Sequence, residues 1–212
     1  KMQMPVGDLT DPLGMARAMV DFLEELKLKN FTELTMSDYD RHLRYFTGWC
    51  EMRGLMRPAE ITEAILIRYQ RMVSQIIKPN GHTVSFLTQM HYLVPVRQFF
   101  RWLAKRHRIL FNPASELELP RKEKRLPKAV LSVSEAEQVI NWVSLSNPMG
   151  LRDRAILETL YSTGIRRMEL INLSLYDIDF DRGTVMVRQG KGKKDRVVPI
   201  GDRALAWVQK YV

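Results

Sequence analysis

A run of 18 residues, 111–128, divides the chain into two parts with different patterns. It contains three prolines and a cluster of charges but no apolar period, which is typical of a linker. Apolar residues before it recur at helical spacing with almost no strand pattern, whereas helices followed by strands come after it. The chain is long enough for two small domains. The sequence therefore predicts a two-domain protein, with an all-α domain over 8–110, a basic linker over 111–128 and an α+β domain over 129–212.

Four helices are predicted in the first part. Their apolar residues recur every three or four positions, which places them on one face of each helix. The fourth helix, from Ser85 to Arg106, contains Pro95, and an internal proline, which costs about 3 kcal/mol, should kink or split it. Capping patterns give the starts of the other three helices. Those predicted starts are Asp11 before Pro12, Thr35 with Asp38 three positions on, and Thr62.

The second part is predicted to begin with helices and to continue as a three-stranded antiparallel sheet. Two overlapping S-x-x-E capping boxes, at Ser132 and Ser134, start its first helix. The next helix is predicted over 151–162, and its expected inward residues are Ile156, Leu157 and Leu160. A short helix is expected over 166–173. The three predicted strands are 176–180, 184–189 and 196–200.

The distribution of charge indicates a polyanionic partner. The net charge is +9, from 33 Lys and Arg against 24 Asp and Glu. Residues 121–128 hold five basic groups and one acid, and 182–196 hold six and one, so these two segments account for the whole excess. Residues 97–108 add five Lys or Arg and no acid. Basic residues clustered in this way are typical of a nucleic-acid interface, although each segment alone also fits a solvated basic face.

Basic residues of the fourth helix share one face. Arg97, Arg101, Lys105 and Arg108 follow one another at intervals of four, four and three residues. Two interpretations are open on the residues alone. The stripe is either the solvent-exposed side of a surface helix or a surface that lies along a nucleic-acid groove, where Arg and Lys contact phosphates.

Composition disfavours several other classes of protein. The single cysteine, Cys50, excludes an internal disulfide framework. That cysteine and the four histidines show no paired spacing for zinc, so no metal site is expected. No carboxylate cluster indicates the two-metal site of a nuclease or polymerase. No stretch approaches the roughly 18 consecutive apolar residues of a membrane helix, so no membrane partner is expected.

Several motifs resemble those of a known family. Residues 152–157 (RDRAIL) and 161–170 (YSTGIRRMEL) resemble the box I region of tyrosine recombinases, the phage-integrase and Xer-like group. Residues 190–200 (GKGKKDRVVPI) resemble the β2–β3 hairpin of that family, at the family's separation from box I. Residues 99–103 (FFRWL) and 112–113 (NP) are similar to its core-binding domain. The resemblance spans nearly the whole chain.

This resemblance implies a fold, a reaction and a set of partners. The first domain would be an all-α SAM-like four-helix core-binding domain, and the second a truncated α+β catalytic domain with a three-stranded antiparallel sheet. The two would form a C-shaped clamp around double-stranded DNA. The family exchanges DNA strands through a 3′-phosphotyrosine intermediate without a metal or nucleotide cofactor. It acts as a homotetramer on two DNA sites, and the implied location is the bacterial cytoplasm, in association with the nucleoid.

The same resemblance assigns catalytic roles to two residues. Arg166 matches the first catalytic arginine of the family, and Lys191 matches the hairpin lysine. A guanidinium offers planar donors for the charge of a phosphoryl transition state, and a lysine at a glycine-flanked tip can protonate the leaving 5′-oxygen. Without the family, Arg166 is interpreted as a structural ion pair and Lys191 as a solvated turn lysine. Glu169 is interpreted as a structural partner that orients an arginine.

Nine further basic residues are predicted to bind DNA, mainly through its phosphates. They lie on the fourth helix, at the linker and on the hairpin, which are the basic segments of the chain. The glycines at 190 and 192 allow the hairpin tip to approach a backbone closely. The predicted DNA-binding residues are Arg97, Arg101, Lys105, Arg108, Arg121, Lys122, Lys193, Lys194 and Arg196.

The other catalytic groups that the resemblance implies are not found within residues 1–212. The family's second arginine, its histidines and its nucleophilic tyrosine belong to an H-x-x-R helix and a later tyrosine helix. Tyr161, Tyr176 and Tyr211 lack that context. We therefore expect the chain, as a fragment of a longer recombinase, to bind DNA without cleaving it. Two rival hypotheses are a naturally truncated, non-catalytic DNA-binding regulator and a type IB topoisomerase-like enzyme.

Overall fold

The computed structural model is mostly helical and contains one antiparallel sheet of three strands. It describes residues 7–121, 130–190 and 192–212. The predictions for Lys122 and Lys191 therefore lie outside the described residues, as does the linker sequence between the first two ranges.

The chain divides into two compact units, residues 1–125 and 126–212. In the described residues, the first unit is helical apart from an isolated bridge between Ile77 and Thr83, and the second carries the sheet. None of the described helices has the length and apolar character needed to cross a membrane.

Four α-helices form the described part of the first unit, in agreement with the pattern of its apolar residues. The helices are α1 Met15–Leu28, α2 Glu33–Glu51, α3 Glu63–Ser74 and α4 Phe86–Lys105. Their apolar faces enclose one core, in which aromatic rings pack edge to face. The aromatic rings that are almost completely buried are those of Phe46, Tyr69, Phe99 and Phe100.

Two of the predicted helix starts are wrong by three residues. α1 begins after Gly14, because the Gly14 N–H donates to the carbonyl of Asp11 at 3.0 Å and closes a turn there. α2 is capped by Thr32, whose hydroxyl accepts from the N–H of Thr35 at 3.3 Å. Thr35 is therefore the third residue of the helix. Its backbone N–H has no partner within the helix and donates to the capping hydroxyl of Thr32 instead.

The predicted starts of the third and fourth helices are confirmed, because Thr62 and Ser85 are the N-cap residues. The Ser85 hydroxyl accepts from the N–H of Thr88 at 3.2 Å. Pro95 does not split α4, which runs unbroken from Phe86 to Lys105, so a split helix, one of the two expected effects, is wrong. Proline removes one backbone donor, but Pro95 is buried, and the buried residues Leu93 and Val96 on either side of it belong to the core.

The first residues of the predicted linker belong to the core of the first unit. Ala114 and Leu117 are 1% and 4% exposed, and Leu119 packs against the same core. The side-chain oxygen of Asn112 accepts from the N–H of Ala114 at 3.0 Å and forms the turn that directs this segment inward. The segment predicted as a linker from residue 111 thus begins with residues that the first unit buries. An irregular segment has no apolar period to reveal its buried residues.

Glu25 joins α1 to the end of α4. Its carboxylate accepts from the indole N–H of Trp102 and from Nε of Arg106 at 2.8 Å, and it pairs with Lys29. The Lys29 ammonium, together with these two donors, lowers the pKa of Glu25 from 4.5 to about 2. A carboxyl with a lowered pKa stabilises the fold above its unfolded pKa, and this stabilisation is lost as the pH falls through the folded pKa.

We expect Glu25→Gln to lower the free energy of unfolding by about 1 kcal/mol at pH 7, because solvent screens this partly exposed network. The difference between variant and parent should shrink as the pH falls from about 4.5 to about 2. Urea unfolding across this pH range measures it. Glu24→Gln, at an exposed position beside Glu25, is the control and should change little. A difference that does not vary with pH would contradict the role assigned to Glu25.

The second unit contains four helices and three strands in its described residues. The elements are α5 Val133–Asn141, α6 Pro148–Thr163, α7 Arg167–Ile171, β1 Ile178–Asp179, β2 Thr184–Val187, β3 Arg196–Pro199 and α8 Asp202–Tyr211. The three predicted strands are confirmed in the order β1–β2–β3, with both pairs antiparallel. β1 is shorter than predicted, because a 3₁₀ turn occupies Leu175–Asp177 before it.

The capping box at Ser132 is confirmed, whereas Ser134 lies inside the helix and the box predicted there is wrong.

The buried face of α6 contains polar residues that were not predicted, namely Arg154, Glu158 and Thr159, beside Ala155. Of the apolar residues predicted to face inward, Leu160 is half-buried and packs against the apolar core. Ile156 and Leu157 are half-buried. α8 packs along α6 and supplies Arg203, whose Nε donates to Glu158 at 2.8 Å. The apolar core lies between the sheet and α8, and its buried residues are Ile165, Val185, Val187, Ile200, Ala204 and Leu205.

Candidate active site and nucleic-acid interface

Arg166 lies at a rigid corner between two helices of the second unit. α6 ends at Gly164, which adopts the left-handed conformation with φ +61° that glycine tolerates best. The next residue, Ile165, is 5% exposed and anchors the corner in the core. Arg166 is then the N-cap residue of α7, with 59% of its side chain exposed. The corner therefore fixes the backbone and presents the guanidinium to solvent.

Glu169 holds that guanidinium in place. Its carboxylate accepts from the backbone N–H of Arg166 and from Nη1 of the same residue, both at 2.9 Å. It also accepts from Nη1 and Nη2 of Arg196 on β3, at 3.0 and 2.6 Å. The Arg196 guanidinium first, and then the Arg166 N–H, hold the pKa of Glu169 well below its usual range. A carboxylate that stays ionised between two arginines orients them and is unsuited to act as a general base.

The hairpin rests on the same ion pairs. A Cβ placed on Gly190 would lie 2.7 Å from Nη1 of Arg196 and 2.9 Å from Oε1 of Glu169, so only glycine fits without displacement. The Gly190 N–H donates to the Lys194 carbonyl at 3.0 Å, and the Lys193 N–H donates to the Gly190 carbonyl at 2.8 Å. The base of the hairpin at Gly190 therefore lies next to Glu169 and Arg196.

The basic stripe on α4 has three members. Arg97 is half-buried, and Arg101 and Lys105 are exposed. None of the three forms an ion pair with a described residue, so their charges are available to a ligand. The residues on the opposite side of the helix are buried in the core and are Val96, Phe99, Phe100 and Leu103.

Arg108 does not belong to this stripe, and its predicted position on the helix is wrong. α4 ends at Lys105, and His107 follows in the left-handed region with φ +53°. The turn directs Arg108 toward α1, where its Nη1 donates to Asp21 at 2.6 Å. The guanidinium also lies 4.9 Å from the ring centroid of Trp102. These contacts give Arg108 a structural role in the first unit.

The remaining DNA-binding candidates differ in their surroundings. Lys193 and Lys194 are exposed on the hairpin, and Arg121 is exposed at the end of the first described range. Arg196 directs two of its N–H groups to Glu169, so the structure gives it a carboxylate partner where the sequence predicted a phosphate. Lys122 lies outside the described residues.

Sequence reasoning missed the pairing of Glu169 with Arg196 and the contact that it makes with Gly190. The contact between Arg166 and Glu169 has a signal in the sequence, because the two residues are three positions apart at a helix start and form a capping box. The contact between Glu169 and Arg196 joins a helix to a strand 27 residues later in the chain. Only the fold brings these groups together.

The chain is similar to known proteins over most of its length. Residues 129–212 match the model of the phage integrase family. The chain is 47% identical over 205 residues to tyrosine recombinase XerC 2 of Ralstonia nicotianae, which covers 95% of this chain and 59% of the relative. It is 33% identical over 191 residues to tyrosine recombinase XerD of Pseudomonas putida, with coverage of 90% and 61%. The chain thus spans about three fifths of the length of the curated relatives it matches.

Solved structures share the fold. The Tn1549 transposon integrase in complex with a circular intermediate DNA has a TM-score of 0.68 at 15% identity, covering 93% of this chain and 64% of that chain. A lambda integrase dimer bound to a COC′ core site has a TM-score of 0.65 at 17% identity, with coverage of 91% and 62%. At these identities the likeness concerns the fold alone. Residues 129–212 therefore belong to the phage integrase family, and the chain is similar over most of its length to tyrosine recombinases.

Proposed function

We propose that this chain is part of a site-specific DNA recombinase, which cleaves and rejoins DNA strands through a 3′-phosphotyrosine intermediate. The observation that carries the proposal is the Arg166 guanidinium, held at an exposed corner by Glu169, which also supports the base of the hairpin. Family membership supplies the reaction, and this geometry supplies a place for a phosphate. The tyrosine nucleophile, the second arginine and the histidines would come from the complete protein.

In this proposal Arg166 binds the scissile phosphate. One Nη of Arg166 donates to Glu169, and the remaining N–H groups of a guanidinium that is 59% exposed can donate to non-bridging oxygens. Because the corner and Glu169 hold the side chain before DNA binds, little reorganisation is needed when charge develops in the transition state. Lys191 would protonate the leaving 5′-oxygen from the hairpin, which requires no metal or nucleotide.

We further propose the domain roles. Residues 8–110 would be a SAM-like core-binding domain, 111–128 a basic linker on the DNA backbone, and 129–212 the first part of the catalytic domain. Four helices with buried apolar faces, and the basic stripe that α4 presents, support the first role. Exposed lysines on the hairpin support the last, because lysines there would position phosphates next to Arg166.

The partner would be double-stranded DNA, bound by a homotetramer on two sites in the bacterial cytoplasm, in association with the nucleoid. The net charge of +9, concentrated in three segments, supports DNA as the ligand. The names of the structural relatives, a transposon integrase with DNA and a lambda integrase dimer on a core site, support the same class of partner.

We expect the 212-residue chain to bind duplex DNA with a steep dependence on salt. Replacing Arg97, Arg101 and Lys105 together by glutamine should reduce the slope of log K against log salt by about 0.9 for each phosphate that the variant no longer neutralises. Fluorescence anisotropy with a labelled duplex at several salt concentrations measures the slope. Lys27→Gln, at an exposed position on α1, is the matched control and should leave the slope unchanged.

Two results would weigh against the proposal. An unchanged salt slope in the triple variant would mean that the α4 stripe is a solvated surface without a role in DNA binding. A complete protein that binds its sites but never forms a covalent adduct with DNA would favour the non-catalytic regulator.

A further inference from the structure

Asp38, His42 and His91 form a cluster on the first unit, and none of the three is among the residues assigned to DNA. Asp38 and His42 are one turn apart on α2, and His91 comes from the neighbouring helix α4. Each residue can offer one ligand atom, and the three atoms lie within 4.8 Å of one another. The cluster therefore joins two helices through one carboxylate and two imidazoles.

The distances in this cluster are unusual for hydrogen bonds. Nε2 of His42 lies 3.3 Å from Oδ1 of Asp38, and Nδ1 of His91 lies 3.6 Å from Oδ2. Hydrogen bonds between such groups are usually about 2.7–3.2 Å long. Ligand atoms bound tetrahedrally to Zn²⁺ at about 2.0–2.1 Å are about 3.3–3.4 Å apart, which is close to the distance between His42 and Asp38. His91 lies farther from Asp38 and would have to move slightly to complete the site.

The two histidines are held to different degrees. The His42 side chain is 10% exposed, and its ring meets Tyr92 edge to face at 4.6 Å between centroids. Its position is therefore fixed by packing. The His91 side chain is 55% exposed, so it can rotate by the small amount needed to complete a site, and it leaves one side open to water.

We propose that Asp38, His42 and His91 bind a divalent transition-metal ion, with Zn²⁺ as the best match to this donor set. Two imidazoles and one carboxylate, with water in the fourth position, are a common ligand set for zinc. The ion would link α2 to α4 and stabilise the helical unit. Nδ1 of His42 has no hydrogen-bond partner among the described residues, and ligating histidines normally have one. We therefore expect an affinity about 10–100-fold weaker than that of a site whose histidines have such partners.

The site was not visible in the sequence, which led us to expect no metal. Asp38 and His42 have the spacing of one helical turn, but a lone pair of this kind is common on helices. His91 joins them only because α4 packs on α2. The proposal is independent of the proposed function, since none of the three residues is assigned to DNA.

Isothermal titration of the 212-residue chain with zinc chloride tests the proposal. We expect one Zn²⁺ per chain, a higher midpoint of thermal unfolding with the ion, and visible d–d bands of a low-coordinate site with Co²⁺. His91→Ala and Asp38→Asn, both at accessible positions, should each raise the dissociation constant at least about tenfold. His42 is left in place because its ring is buried.

The matched control is His82→Ala, which removes an exposed histidine outside the cluster and should leave the dissociation constant unchanged. Magnesium, which prefers oxygen ligands, should not compete. Absence of saturable binding at one ion per chain would overturn the proposal. Binding that survives both cluster variants, or that His82→Ala weakens as much as His91→Ala does, would overturn it as well.

Discussion

Replacing Glu158 by alanine is expected to lower the free energy of unfolding of the second unit by about 3–5 kcal/mol. The Glu158 side chain is 2% exposed and accepts from Arg154 at 2.9 and 3.0 Å and from Arg203 at 2.8 Å. Arg154 is itself 10% exposed, so the substitution would leave a buried cation without its counter-charge. The remaining contacts of Arg154, with the Ile140 carbonyl and the Trp207 ring, do not replace a carboxylate.

Glu137→Ala is the matched control for this prediction. Glu137 binds the same Arg203, at 2.7 Å, but its side chain is 32% exposed. A pair that solvent reaches contributes at most about 1 kcal/mol, so this variant should lose far less stability. Urea unfolding followed by circular dichroism compares the two. Equal losses would show that burial does not set the strength of this network.

A second variant separates the missing charge from a general loss of packing. Replacing Arg154 by methionine together with Glu158→Leu removes the buried pair and keeps most of the side-chain volume. Because a buried ion pair often contributes little net stability relative to apolar residues, the double variant should be more stable than Glu158→Ala. A double variant that is less stable would mean that the network specifies the packing of α6 on α8.

This polar network also shows where sequence reasoning ends. Helix positions follow from local signals, so α4 and its cap at Ser85 were predicted closely. The buried face of α6 depends on what packs against it, and no local pattern reveals that α8 supplies Arg203 and Trp207. The buried pair of Arg154 and Glu158 was therefore missed, whereas Leu160 packs against the core as predicted.

The candidate site divides in the same way. The corner at Arg166 was predictable, because a helix-ending glycine and the spacing to Glu169 lie within a few residues. The contact of Arg196 with Glu169 was not, because a basic residue on a hairpin equally fits a phosphate. Arg108 was wrongly placed because α4 ends one turn before the basic spacing does.

In the complete protein, Arg166→Ala is expected to slow DNA strand cleavage by about 10²–10³-fold, with the affinity for DNA changed only a few-fold. Arg166 is one cation among many for binding, but it is the group that the corner and Glu169 hold in position for a phosphate. The hydrogen bonds from its guanidinium to the phosphate would become strongest as negative charge develops in the transition state. Accumulation of the covalent protein–DNA adduct measures cleavage, and a binding titration on the same duplex measures affinity.

Arg167→Ala is the matched control for this loss, because Arg167 is the next residue, is exposed and makes no ion pair with a described residue. It removes the same charge from the same helix start, so it should lower cleavage and binding slightly and in parallel. Glu169→Gln should fall between the two arginine variants, since it weakens the hold on Arg166 without removing the guanidinium. If Arg166→Ala lost cleavage and binding equally, Arg166 would be a positioning contact for DNA and the catalytic assignment would be wrong.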